Sequence, residues 1–471
     1  MAFALKRRLY ESLPTPLKAP FGLIPFGVMA GSAYRRTLRP GPALDGASRE
    51  EVLACQEHML GEMLAFAAAQ VPAYRELQDT VSRLRPFEAL KAFPLVSKAD
   101  LAENLQHYLP RGFEHIPHYA CATGGSSGNQ LHFYVDDDSH AVEMAFMHRQ
   151  WMRVGYTTRA RKATFRGVPF PNLRPGEYWQ ANPIYHELQF SPFHLSESTM
   201  SAYIEKLFRF KPQFLHGYPS ALILLAEYVL RNDIDVSPLP LRAVLLGSEP
   251  VYPGQHETLE RAFCCRAYSW YGHSERAVLA GECEEDRAYH VFPDYGVAEI
   301  LTKDGRPAEP GERGEITGTG LLNRAMPFIR YRTEDIARKR APECGCGRHW
   351  DRFDAVEGRK QEYVVGRTGA RISPTALNMH SAVFDKVLRH QYYQNTPGVM
   401  ELRMVVAEDF SDADARALEG AFAEKVGDEV AVELRVVEDI PLTKRGKLRR
   451  LIQEIPGEGG AAGNDGEEQP E

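Results

Sequence analysis

The sequence lacks the features that would place it among nucleic-acid-binding or membrane proteins. Basic charge is not in excess, because 56 Lys and Arg residues stand against 63 acidic residues and the net charge is -7. General nucleic-acid binding requires a broad basic surface, so we expect no nucleic-acid partner. Long apolar runs are also missing: the stretch 19–30 is short and rich in proline and glycine. We therefore expect no transmembrane segment.

Cysteine is scarce, and the seven cysteines are an odd number with no secretory signal. This combination is typical of a reducing compartment, so we expect a cytoplasmic protein. Hydrophobic residues make up 44% of the 471 positions and charged residues 25%, which is enough for a core of normal size. The length favours two domains or more.

Helix and strand patterns alternate through most of the chain and predict an α/β architecture. Ser48–Glu51 has the sequence of a capping box before a helix that runs to about Ala69. Another helix start is predicted at Ser97. The remaining helices of this part are predicted over 141–154 and 253–263, and its strands over 131–135, 241–247, 298–302 and 315–318.

The pattern changes after Gly358, where a strand over 400–407, a helix over 411–426 and a strand over 430–437 predict an α+β unit. We therefore predict a large N-terminal domain of β-sheets and packed helices over 1–357. A small C-terminal domain would cover 358–455. The stretch 456–471 is rich in glycine and acidic residues, and we expect it to be disordered.

A loop of small residues offers flexible backbone and three hydroxyls within six positions. Such a segment can cradle an anion with main-chain amides and hydroxyls. It lacks the ending of a Walker loop and the glycine spacing of a dinucleotide-binding loop. Taken alone it is better explained as a flexible surface loop. Its residues are Thr123, Gly124, Gly125, Ser126, Ser127 and Gly128.

Four further segments follow this loop in a fixed order, over 216–222, 270–275, 329–336 and 441–447. With the loop, they resemble the adenylate-forming superfamily of acyl-CoA synthetases, nonribosomal adenylation domains and luciferase. Within it, the chain looks like the phenylacetate–CoA ligase family and resembles the CapK-like branch often found with capsular polysaccharide genes. Each motif is weak alone, but five in order are specific.

The resemblance implies ATP-dependent activation of a small carboxylic acid as an acyl-AMP, followed by transfer of the acyl group to coenzyme A. Two alternatives stay open. One is transfer to an amine such as an amino sugar, and the other is a non-catalytic nucleotide-binding protein of a polysaccharide assembly system. The acid and the oligomeric state are left open by the sequence.

The resemblance also implies that the N-terminal domain over 1–357 binds ATP and the acyl group, and that the C-terminal domain over 358–455 is mobile and carries the catalytic lysine. The loop over 123–128 would hold the β- and γ-phosphates of ATP. Tyr271 and Gly272 would lie along the adenine ring, and Asp335 would bind the ribose hydroxyls, which suit an acceptor-only carboxylate. The adenine pocket would be lined by Gly247, Ser248 and Glu249.

The implied catalytic residues act on the charge that builds up at the α-phosphorus, which Mg²⁺ and a lysine can neutralise. Ser274 would contact the α-phosphate, and Glu275 would help to hold Mg²⁺. Lys447 would come from the mobile domain to the α-phosphate and the acyl carboxylate. Arg359 would serve as the hinge and reach the ribose.

Two departures from the family pattern occur. Family loops commonly continue Gly-Lys-Pro, whereas here Gly128 is followed by Asn129 and Gln130, so that one phosphate contact is lost. The acid that often stands two residues after the hinge arginine is also missing, because Gln361 follows Arg359 at that distance. The hinge residue therefore stays open.

Candidates for the acyl pocket are weaker, because aromatic residues in such positions more often belong to the core. The candidates are Trp151, His216, Tyr218, Pro219 and Ser220.

A possible structural zinc site is formed by three thiols and one imidazole, a ligand set that suits tetrahedral zinc. Cys283 and His290 form one half, and Cys344 and Cys346 form the other. The resemblance implies Cys and His at matching places in related proteins. The alternative is four reduced side chains without a metal.

Overall fold

The protein is described from a computed structural model, which covers residues 9–10, 12–13, 15–38, 44–122, 131–168, 170, 176–354, 356, 363–372, 374–377, 379, 382–384, 386–441 and 451–455. Four sets of predicted features lie outside the described residues. They are the loop over 123–128, Arg359, Lys447 and the tail over 456–471.

The first helices of the chain come before the strands of the main sheet in the sequence. Ser48 caps the helix Arg49–Gln70 as predicted, because its hydroxyl accepts from the Glu51 amide and its own amide donates to the Glu51 carboxylate. Leu60 and Leu64 of this helix are fully buried. The helices of this part are Thr15–Lys18, Phe26–Leu38, Arg49–Gln70, Gln78–Arg83, Pro86–Leu90 and Lys98–Glu103.

A large mixed sheet forms the centre of the molecule, with the strand order β11-β12-β13-β14-β10-β9-β8-β7-β6-β3-β5-β4. Its strands are β3 (Lys162–Phe165), β4 (Trp179–Asn182), β5 (Glu187–Phe190), β6 (Phe214–Gly217), β7 (Ala243–Leu246), β8 (Ala267–Gly272), β9 (Leu279–Gly281), β10 (Tyr289–Val291), β11 (Gly296–Leu301), β12 (Arg313–Gly320), β13 (Tyr331–Arg340) and β14 (Arg352–Phe353). Strands β5, β3, β6, β7 and β8 run parallel, and antiparallel strands flank them. The hairpin β1 (His118–Ala122) and β2 (His132–Asp136) stands apart.

Helices cover both faces of the parallel strands. In β7, Val244 and Leu246 pack with the helices Met200–Phe210, Pro219–Arg231 and Gln255–Phe263. The alternate residues Ala243 and Leu245 pack with the helix Ser139–Met152 on the other face. This burial on both faces explains the unbroken apolar run of β7.

The predicted helices and strands differ from the observed ones only in their first and last residues. The helix expected over 253–263 begins at Gln255, because Gly254 precedes it in the left-handed region, with φ of 84°. The helix expected over 141–154 is found at Ser139–Met152. None of the described helices combines the length and hydrophobicity that a bilayer crossing requires.

The C-terminal part contains the hairpin β15 (Val364–Val365) and β16 (Arg371–Ile372), the short helix Pro374–Leu377 and a separate sheet. That sheet has the order β19-β18-β17-β20 and is built from β17 (Val387–Thr396), β18 (Val399–Val406), β19 (Ala431–Val436) and β20 (Leu451–Gln453). The helix Asp412–Val426 follows a capping box at Ser411. The predicted fold class, an α/β body with a small α+β part, is confirmed, whereas the domain boundaries stay a prediction.

Candidate active site

The carboxyl ends of β6, β7 and β8 bring three of the sequence motifs together, which is where open parallel sheets bind ligands. Gly247 follows β7, where a Cβ atom would lie 2.1 Å from Nε1 of Trp270. Only glycine fits this approach. The next residue, Ser248, turns the chain through the left-handed region with φ of 69°.

Two contacts join this turn to the segment after β6. The Ser220 amide donates to the Glu249 carboxylate over 3.0 Å. Arg166 donates to the Ser248 hydroxyl over 2.6 Å, and its guanidinium lies 5.3 Å from the centre of the Tyr218 ring. The predicted adenine segment and the predicted acyl-pocket segment are therefore neighbours. Arg166 was not among the predicted site residues, because it follows β3 outside every motif.

Tyr271 and Asp335 form the second pair of the site. The Tyr271 hydroxyl donates to Oδ2 of Asp335 over 2.8 Å, joining the end of β8 to β13. Burial raises the pKa of the Asp335 carboxyl above its usual range, and the Tyr271 hydroxyl partly offsets this. The pair thus holds a carboxylate oxygen in a defined place beside Gly272.

Glu275 lies in the turn after β8 and is only 7% exposed. Its carboxylate accepts from the Tyr331 hydroxyl over 2.6 Å and lies 3.2 Å from Nδ1 of His273. Burial alone would raise the pKa of Glu275, but the interactions with His273 and Tyr331 outweigh it and lower the pKa. The carboxylate therefore stays ionised, as a magnesium ligand must be. Half-buried Ser274 lies beside it in the same turn.

Two further residues of this cluster were not among the predicted site residues. His273 lies within the motif over 270–275 and contacts Glu275. Tyr331 lies within the motif over 329–336, which signalled its importance but gave no partner.

The weaker acyl-pocket candidates lie on the helix Ser139–Met152, on β6 and directly after β6. Trp151 and His216 are both buried, with ring centres 4.9 Å apart. Nδ1 of His216 donates to the Leu245 carbonyl over 3.0 Å, and burial keeps the pKa of His216 well below its ordinary value. Pro219 and Ser220 begin the helix Pro219–Arg231. Their role in binding an acyl group stays a prediction.

The four predicted metal ligands lie together, with all their ligand atoms within 4.8 Å of one another. The sulfurs of Cys283 and Cys344 are 3.7 Å apart, and Sγ of Cys346 lies 3.5 Å from Nε2 of His290. Tetrahedral zinc with bonds of about 2.0 to 2.3 Å requires ligand separations of about 3.5 to 3.8 Å. The observed spacing fits that ion.

The surroundings of the cluster also suit a metal. Burial lowers the pKa of His290 to about 4, so that its imidazole is neutral and can bind a cation through nitrogen. Burial alone would raise the pKa of Cys346, but hydrogen bonds from Arg348 help to lower it. The amides of Glu285 and Asp286 donate to the Cys283 sulfur over 3.4 and 3.2 Å.

Comparison with known proteins agrees with this geometry. The family model of the CapK C-terminal domain matches residues 364–454. The phenylacetate–coenzyme A ligase of Thermus thermophilus is 26% identical over 446 residues, covering 87% of this chain and 98% of that protein. Protein CapK of Staphylococcus aureus is 22% identical over 373 residues, covering 78% and 80%.

A solved structure of 2-hydroxyisobutyryl-CoA ligase, in complex with 2-HIB-AMP and CoA in the thioesterification state, shares the fold. Its TM-score is 0.56 at 20% identity, covering 87% of this chain and 91% of that chain. The chain thus shares the fold of this acyl-CoA ligase. Its sequence is similar to phenylacetate–coenzyme A ligase and to CapK, which confirms the resemblance found in the sequence.

Proposed function

We propose that the protein condenses a carboxylic acid with MgATP to give an acyl-AMP and pyrophosphate, and then transfers the acyl group to coenzyme A. The observation that carries this proposal is a pair of carboxylates near the carboxyl end of β8, Asp335 on β13 and Glu275 in the turn after β8, each of which accepts from a tyrosine hydroxyl. Asp335 would bind the ribose hydroxyls, and Glu275 would bind magnesium.

The proposed first step depends on positioning and charge. The carboxylate oxygen of the acid attacks the α-phosphorus of ATP, and the bond to the pyrophosphate oxygen breaks. Glu275 would hold Mg²⁺, Ser274 and Lys447 would contact the α-phosphate, and the loop over 123–128 would hold the β- and γ-phosphates. Asp335 would fix the ribose. The family resemblance supports all of these roles, and the geometry of the described residues supports those of Glu275 and Asp335.

The second step is proposed because the relatives that cover most of the chain include coenzyme A ligases. Arg359 would be the hinge about which the small domain turns to remove Lys447 from the site and admit the thiol. Transfer to an amine such as an amino sugar is the second candidate. It is favoured by the matches to CapK and its C-terminal domain, which would place the enzyme in polysaccharide synthesis.

The experiment that tests the first step is ATP–pyrophosphate exchange over a broad library of carboxylic acids. We expect exchange with a narrow set of acids. Binding of ATP without exchange for any acid would favour a non-catalytic nucleotide-binding protein. For the active acids, thioester absorbance after addition of coenzyme A would identify coenzyme A as the acceptor. Amide formation without any thioester absorbance would favour an amine as the acceptor.

Removal of the Tyr271 hydroxyl should weaken ATP binding. We expect Tyr271→Phe to raise the KM for ATP roughly tenfold, because a hydrogen bond to a charged group stabilises by about 1.5–3 kcal/mol. Steady-state exchange measures this. Tyr289→Phe is the matched control, because it removes a buried hydroxyl that donates to Ser269 over 2.9 Å outside the nucleotide site. Equal KM values in both variants would contradict the role of Tyr271.

We propose that Cys283, His290, Cys344 and Cys346 hold a structural Zn²⁺. Four protein ligands leave no open position, so the ion would stabilise the loops rather than act on substrate. It would join the segment between β9 and β10 to the segment between β13 and β14. The bound metal would therefore hold together two loops near the amino end of β8, at the opposite end of that strand from Glu275.

Metal analysis and unfolding test this site. We expect about one zinc ion per chain in the purified protein, and loss of that zinc with a lower Tm after chelation or in Cys344→Ser. Cys264→Ser is the control, because Cys264 is exposed and outside the cluster. Full zinc content in Cys344→Ser would exclude Cys344 as a ligand.

A further inference from the structure

The first helices of the chain leave several large aliphatic side chains in solvent. Among the described residues, eight large hydrophobic side chains are exposed, and four of them lie between positions 9 and 28. Leu23 is 87% exposed, Val28 60%, Leu17 59% and Leu9 53%. A single exposed leucine is ordinary, but such a concentration in one short stretch indicates an interaction surface. We refer to these four side chains as the N-terminal apolar surface.

The opposite side of the same segment is fixed to the body of the protein. Phe26 is buried and packs in one hydrophobic cluster with the helix Ser139–Met152. Val28 lies two positions further along, which places it on the other face of this helical turn. Tyr10 is also buried, and its hydroxyl donates to Asn182 over 2.8 Å. The segment is therefore held in place with its apolar surface directed away from the body.

Basic residues accompany the N-terminal apolar surface. Nη1 of Arg35 donates to the Gly27 carbonyl over 2.7 Å, which places the guanidinium beside Val28. Arg35 and Arg36 are both exposed. The sequence over 1–44 contains seven lysines and arginines and one acidic residue, so this stretch has a net charge of +6 in a chain whose total is -7. Positive charge is thus concentrated where the aliphatic side chains are exposed.

A membrane surface explains both features together. Aliphatic side chains can enter the boundary between lipid headgroups and acyl chains, while basic side chains pair with lipid phosphates. A nucleic acid would use the positive charge but would leave the leucines in water. The acidic remainder of the chain would be repelled by the same lipids, so the contact would be confined to this segment.

We propose that the N-terminal helices bind the surface of a bilayer that contains anionic phospholipids. Leu17, Leu23 and Val28 would enter the headgroup region, and Arg35 and Arg36 would contact lipid phosphates. The protein would lie on the bilayer through this segment, because the stretch over 19–30 is too short and too rich in proline to cross it. This inference goes beyond the proposed reaction and does not depend on it.

Co-sedimentation of the full chain with vesicles tests the proposal. Vesicles of phosphatidylcholine present a neutral surface, and vesicles that also contain phosphatidylglycerol present an anionic one. We expect the wild type to bind the anionic vesicles and to bind them less as the salt concentration rises. Leu23→Glu should bind them at least about tenfold more weakly, because it loses apolar burial and adds a repelled charge. Arg36→Gln should bind about fivefold more weakly.

The matched controls make the same changes elsewhere on the surface. Leu84 is 44% exposed, and Arg416 is exposed on the helix Asp412–Val426. Leu84→Glu and Arg416→Gln should bind the anionic vesicles as the wild type does. A wild type that does not bind these vesicles would overturn the proposal, and so would equal losses in Leu23→Glu and Leu84→Glu.

Two further measurements separate this surface from other partners and from the active site. Tighter binding of the wild type to duplex DNA than to the anionic vesicles would assign the positive charge to a nucleic acid and overturn the proposal. ATP–pyrophosphate exchange with a soluble acid should be the same in Leu23→Glu as in the wild type, because Leu23 lies outside the nucleotide site. Loss of vesicle binding is therefore distinguishable from failure of the proposed function.

Discussion

Lys447→Ala abolishes acyl-AMP formation and leaves the second half-reaction largely intact, if the small domain carries the catalytic cation. We expect ATP–pyrophosphate exchange to fall by about 100-fold or more, because a preorganised charge at the reacting phosphorus is worth several kcal/mol. The KM for ATP should change little, since we propose that the large domain holds the nucleotide. Thioester formation from synthetic acyl-AMP should continue, because that step does not need charge at the α-phosphorus.

The control for this experiment lies in the same segment. Lys444→Ala removes a lysine from the basic run over 444–450 and lowers the net charge equally. It should keep most of the exchange activity. Full exchange activity in Lys447→Ala would remove Lys447 from the mechanism, and equal losses in both variants would show that only the general charge of the segment matters.

Glu275→Gln is the second variant with a large expected effect. The amide keeps the size of the side chain and an acceptor for the Tyr331 hydroxyl, but it loses the charge that attracts magnesium. We expect kcat for exchange to fall about 100-fold or more and the Mg²⁺ concentration for half-maximal rate to rise. Exchange measured over a range of Mg²⁺ concentrations, at saturating ATP, gives both quantities.

Glu282→Gln separates loss of a buried charge from loss of a magnesium ligand. Glu282 is 2% exposed, and its Oε2 atom lies 3.4 Å from Nη1 of Arg287, away from the nucleotide site. This variant should be less stable, because a buried ion pair is broken, but its magnesium dependence should match the wild type. The same magnesium dependence in Glu275→Gln and the wild type would contradict the proposed role of Glu275.

Local signals explain which elements could be predicted from the sequence. The helices after Ser48 and Ser411 were predicted because a capping box is complete within four residues. The apolar run of β7 was predicted because it is buried on both faces. The helix expected from Pro253 was misplaced at its start, since the left-handed conformation of Gly254 is set by the turn rather than by composition.

The sequence motifs predicted which segments contribute to the site, but they did not predict which of its residues contact one another. Glu275 and Tyr331 are 56 positions apart, so their hydrogen bond depends on the order of the strands, which no local pattern contains. Arg166 was missed for the same reason. The metal cluster was the exception, because the thiols and the imidazole of His290 already have the chemistry of one ligand set, and the pairing of β10 with β14 helps bring them together.

The segment that contains Lys447 connects the two outermost strands of the C-terminal sheet. β19 and β20 are the two opposite edges of that sheet, and residues 437–450, which include Lys447, join them. Crossing three strand spacings needs about 15 Å, whereas this length of chain can extend to about 45 Å. Because this length of chain exceeds the distance between the two edges, the delivery of charge that we propose for Lys447 would not require either edge strand to leave the sheet.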